Sequence, residues 1–135
     1  MILSVPQDND REIWYANRLI VLLHPLERFQ AWAQQFREPG EGQEEFAAAI
    51  QRPLPFLVPL LEFEADTWTW LEEHHLLLFE TALWSWSPER TRWPEDRSWE
   101  MFGEWFEIEI LDAPWDVVAE PLHSNPPPAE ASEWD

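Results

Sequence analysis

The chain has 135 residues, 45% of them apolar, 27 acidic against 8 basic side chains, a net charge of −19 and no cysteine. That length suits one domain with a real core, so a wholly disordered chain is excluded, as are disulfides, thiolate metal sites and a cysteine nucleophile. All 8 basic residues are arginines, and such an acidic excess argues against direct binding to nucleic acid or anionic membranes, which need cations to neutralise phosphates.

The start of the chain, Met1 to Glu12, has too short an apolar run for a secretory signal and no basic stretch before it. It reads as a polar N-terminal arm (residues 1–12). No apolar stretch approaches the roughly 18 residues of a membrane helix, and the expected location is the cytoplasm of a bacterium.

Residues 13–118 read as a globular domain. Ile13 to Leu23 is dense in β-favouring residues, and the unbroken run Leu19 to Leu23 predicts a strand buried on both faces. Pro25 is placed to open a helix. Leu26, Phe29, Trp32, Ala33 and Phe36 then recur at spacings of three and four, one apolar face of a short helix that Pro39, Gly40 and Gly42 end. Phe46 to Ile50 adds a helical turn. Residues 52–64 are apolar but carry Pro53, Pro55 and Pro59, so they are at best an edge or bulged strand and equally an extended segment outside the sheet.

Asp66 or Thr67 is the expected cap of the longest helix, with Trp68, Leu71, His75, Leu76, Phe79, Leu83 and Trp86 on its buried side. After the Pro88 to Asp96 loop, Asp96 or Ser98 caps a second helix through Trp99, Phe102 and Phe106. At Glu107-Ile108-Glu109-Ile110 the period becomes two, a half-buried strand with isoleucines inward and carboxylates outward. Residues 119–135 are proline-rich and acidic and read as a disordered tail. The order β-α-β-α-α-β predicts an α+β fold with helices on one face of a small sheet.

Asn17-Arg18-Leu19, then Pro25, Phe29 and Trp32, and above all Trp93-Pro94-x-x-Arg97-x-x-x-Met101-Phe102-x-x-Trp105-Phe106 resemble a family of acidic bacterial proteins without an assigned activity. The resemblance covers most of residues 14–118. It implies a bacterial cytoplasmic origin and supplies no activity to carry over.

Several constellations bear on function. Trp70 and Trp84 fall off the main stripe of the long helix and Trp93 sits in a loop, so these three are the expected exposed anchors of a binding patch. Glu107 and Glu109 share a strand face about 7 Å apart, and they are expected to join that patch as a solvated acidic row. Glu72-x-x-His75 has the spacing of a di-iron half-site, but its second copy, Glu120-x-x-His123, contains Pro121. Arg90, Arg92 and Arg97 are expected to pair with the chain's own carboxylates or stack on Trp93 or Trp99. With 3 glycines and no Gly-x-Ser-x-Gly elbow, phosphate-cradling loops and serine nucleophiles have nothing to stand on. No catalytic set, cofactor or metal site is expected.

The expected function is therefore that of an acidic protein that covers a basic protein surface, as an inhibitor, immunity-type factor or nucleic-acid mimic. Two alternatives remain. One is an assembly subunit that forms homo-oligomers through exposed tryptophan. The other is a small metal-dependent or acid–base enzyme drawing on Glu72, His75, Glu107, Glu109 and Asp112.

Overall fold

The computed structural model describes residues 2–4 and 12–123. Among them are strands β1 (Ile2–Ser4), β2 (Glu12–Tyr15), β3 (Arg18–Pro25), β4 (Leu54–Pro59), β5 (Phe106–Leu111) and β6 (Trp115–Asp116). The helices are α1 (Glu27–Ala33), α2 (Gln43–Ile50), α3 (Glu64–Trp84) and α4 (Trp99–Trp105). This is the α+β architecture the sequence implies, with the helical turn expected at Phe46–Ile50 lengthened to α2, a short strand β6 after Pro114, and β1 added.

The strands form two antiparallel three-stranded sheets, ordered β4-β3-β5 and β1-β2-β6. They share one long bent ladder. β3 pairs with β5 as far as Ile20↔Leu111, and β2 resumes with β6 at Tyr15↔Trp115. Five steps on one strand therefore oppose four on the other, which places one extra residue near Ala16 and Asn17. An inserted residue of this kind is a bulge, and it bends and twists the strand that carries it. The Ala16 N–H donates to the Pro114 carbonyl at 2.9 Å, holding the two strands together across the bend. The segment expected as one strand over Ile13–Leu23 is thus two strands joined by this kink. Ile2–Ser4, expected in a polar arm, instead pair with β2. Met1 and residues 5–11 of that arm, and 124–135 of the expected tail, lie outside the described residues.

Helices pack on one face of the β4-β3-β5 sheet. Val21, Leu23, Val58 and Phe106 on that face are buried with Phe29, Leu71, Phe79, Leu83 and Phe102. Each fully buried phenylalanine contributes about 1.5–3 kcal/mol of hydrophobic stabilisation. Phe79 stands at the centre, its ring 5.4 Å from Phe102, 5.5 Å from Trp105 and 5.9 Å from Phe106. The other face of the sheet carries Ile20, Leu22 and His24, half-buried, and Leu57, 52% exposed. The expectation that β3 is buried on both faces is therefore corrected. It is flanked by strands on both sides, but among the described residues only one face is covered by helices.

Local chemistry sets the element ends. Pro25 closes β3 opposite Phe106 instead of opening a helix, and the Leu26 N–H donates to Trp105 O before α1 begins at Glu27. The prolines of β4 sit on an edge strand, where an outward N–H is not needed. α3 starts at Glu64, earlier than Asp66 or Thr67, and its cap residue Phe63 supplies no side-chain bond. α4 is capped as expected: the Ser98 hydroxyl accepts from the Met101 N–H at 3.2 Å, and the Asp96 carboxylate accepts from the Ser98 N–H at 3.0 Å.

Candidate functional site: the open edge of the central sheet

β5 is an outer strand of the sheet, and on its far side it pairs with no strand among the described residues. Its alternation puts Glu107 and Glu109 on the helix-free face, opposite His24 and Leu22 of β3. Ile108 and Ile110 point to the core face, where Trp68 packs against the same cluster. A shallow cleft of about 550 Å³ wraps this edge, lined by His24, Glu64, Trp68, Glu107, Ile108, Glu109 and Ile110. It thus presents carboxylates and an imidazole on one side of the strand, apolar side chains on the other, and the strand's own backbone between.

The His24 Nε2 lies 2.8 Å from Glu109 Oε1, with the two side chains 34% and 49% exposed. This contact ties the acidic row to the central strand. Glu64, in the first turn of α3, adds a carboxylate at the helix N-terminus, where negative charge is favoured. Glu107 and Glu109, expected on the solvated face, are both exposed there.

The three tryptophans expected beside them are elsewhere. Trp93 is 5% exposed, its indole Nε1 donating to the Ser87 carbonyl at 2.9 Å. Trp70 and Trp84 are half-buried against the core, and Trp70 stacks on His74 at 4.1 Å. The expected exposed patch of Trp70, Trp84 and Trp93 does not form, because the loop and both flanks of α3 fold their indoles inward. Among the described residues the exposed aromatics are instead Phe63, just before α3, and Trp14, Tyr15 and Trp115 on the β2–β6 ladder, with Tyr15 stacked on Trp115 at 4.0 Å. Their signal in the sequence is weak, because strands of four and two residues are too short to show a period.

The arginine cluster is spent internally. Arg97 contacts Glu80 at 3.2 Å, donates to Pro94 O and lies 5.8 Å from the Trp93 ring centroid. Arg90 also sits over Trp93, 5.4 Å from the ring centroid, and Arg92 lies over Phe36 and donates to Gln35 Oε1. Carboxylate pairing, at Arg97–Glu80, and stacking on Trp93 thus both occur in this cluster. His75 is also structural in placement, its Nε2 3.0 Å from the Arg97 carbonyl and its Nδ1 2.9 Å from that of Glu72. A neutral imidazole can donate to only one of these carbonyls and an imidazolium to both.

No family model, curated protein or solved structure matches this chain.

Function has to be read from the site itself. Among the described residues no three His, Asp or Glu side chains converge as a metal-ligand set. None of their helices is long and apolar enough to cross a membrane. The other clefts include one beside β4, lined by residues such as Arg52, Pro55, Phe56 and Trp86, and a dent on α2 formed by Gln43, Glu44, Glu45 and Ala47. Of these surfaces, the β5 edge combines charge, apolar area and unpaired backbone in one place.

Proposed function

We propose that this protein binds a cationic protein surface and acts by covering it, as an inhibitor, immunity-type factor or nucleic-acid mimic. The observation that carries the reading is the cleft on the β5 edge, where Glu64, Glu107 and Glu109 surround an accessible strand with apolar side chains beside it. A net charge of −19 steers basic partners toward any face of the molecule. The apolar side chains at the cleft supply contact that does not fade with salt.

The test is affinity capture of basic proteins on the immobilised protein at low salt, with elution by rising salt, repeated with a Glu107→Gln/Glu109→Gln variant. A basic protein held by the native protein and released at markedly lower salt from the variant supports the reading. Equal retention by both, or none by either, rejects this site.

One observation favours self-assembly as a second reading. Trp14 and Trp115 are each 46% exposed on the β2–β6 ladder. Sedimentation equilibrium of the native protein and a Trp14→Ser/Trp115→Ser variant separates the two readings.

A further inference from the structure

We infer that the β5 edge accepts an extended strand from the partner, one in which Lys or Arg alternates with β-branched or aromatic residues. This rests on the cationic-partner reading and specifies how the partner is held. Three features of the sheet lead to it.

The first is the contrast between its two edges. Of the outer positions of β4, Pro55 and Pro59 have no N–H to offer an incoming strand. Both prolines share the parity that faces away from β3, since a proline facing inward would break the ladder. β5 runs from Phe106 to Leu111 without a proline. The sheet is therefore blunted on one side and competent to pair on the other.

The second is the shape of the cleft. It is lined by residues of both faces of β5, Glu107 and Glu109 from one and Ile108 and Ile110 from the other. A helix laid on the sheet would touch one face only. A strand added alongside, about 4.8 Å away, sends its side chains alternately to both.

The third is charge, which selects the occupant. A second copy of this chain paired edge to edge would bring its own Glu107 and Glu109 against the same carboxylates, and like charges directly opposite are destabilising. A cation at those positions is attracted. The intervening residues meet Ile108, Ile110 and Trp68, which favours Val, Ile, Tyr or Phe there. The same acidic row thus repels self-pairing and selects a basic strand.

The probe is an acetylated, amidated nine-residue peptide in which Arg alternates with Val, titrated into the full chain at low salt. One control is a peptide of the same composition in two blocks, and another is the alternating peptide N-methylated at every second residue on one edge. Binding is read by fluorescence and by hydrogen exchange of the β5 amides. Strand addition predicts that the alternating peptide binds and slows exchange in β5, and that N-methylation on the pairing edge weakens it by tenfold or more. Glu107→Gln/Glu109→Gln is expected to weaken it about tenfold, the scale of two cross-strand charge pairs. If all three peptides bind alike and β5 exchange is unchanged, strand addition is overturned and cationic binding stands. If no basic peptide binds, both fall.

Discussion

Thr67 is 1% exposed, and its hydroxyl has no hydrogen-bond partner among the described residues. A buried hydroxyl without a partner carries a desolvation cost that valine, of nearly the same shape, does not. Both residues are β-branched, so helix propensity barely changes. Thr67→Val is expected to stabilise the fold by about 1 kcal/mol, read as a higher urea midpoint at unchanged slope. Asp96 offers a pH-dependent counterpart. Hydrogen bonds from the Ser98 hydroxyl, and then from its N–H, hold the Asp96 carboxyl below its ordinary value of 3.8. Because the folded value is the lower one, its contribution is present above the ordinary value and is lost as pH falls through the folded value. The stability difference between the native protein and Asp96→Asn should therefore be present at pH 6 and shrink on acidification below about pH 4, in parallel denaturation curves.

The elements show which patterns in a sequence carry information. The period-two run in β5 and the Ser98 cap were legible because each rests on contacts local in sequence. The buried side of α3 was legible only in part. Leu71, Phe79 and Leu83 are buried as their spacing implies, but Leu76 is 45% exposed while Thr67, Leu78 and Ala82 are buried. The true face is turned toward Thr67 by about half the angle between successive residues. Large apolar side chains pull a sequence-based stripe toward themselves, whereas a threonine or an alanine at a close approach leaves no such mark. Trp93 was illegible for another reason: a loop has no period, and burial there depends on Ser87 O reaching its indole. Of the site, Glu107 and Glu109 were legible from alternation, while His24, Glu64 and Trp68 join them only through tertiary pairing.

The prolines of β4 can be tested at this same scale. Pro55→Val/Pro59→Val restores two outward N–H groups without touching the ladder to β3. Folding stability should change by about 1 kcal/mol or less per site, chiefly through the unfolded chain. Association should rise with concentration beyond that of the native protein, visible in sedimentation velocity as a second edge becomes able to pair.

Across the whole molecule, an aromatic core works against the repulsion of 27 acidic side chains only partly offset by 8 arginines. Ion pairs such as Arg28–Glu104 at 2.9 Å lie at the surface and contribute little, about 0–1 kcal/mol each. Repulsion between exposed charges is screened once the Debye length falls to about 3 Å, near 1 M salt. Raising the sodium chloride concentration from 20 mM to 0.5 M should accordingly raise the thermal midpoint of the free protein, while it weakens any complex held by the same carboxylates. Opposite signs for folding and binding, measured by calorimetry under matched conditions, would separate self-repulsion from partner attraction.

The unequal edges of the sheet also fix a stoichiometry. A strand can join at β5, but Pro55 and Pro59 leave the opposite border unable to template another. Taken by itself, the β4-β3-β5 sheet has a valence of one: it can complete a neighbour's strand at β5 but cannot pass the pairing on through β4.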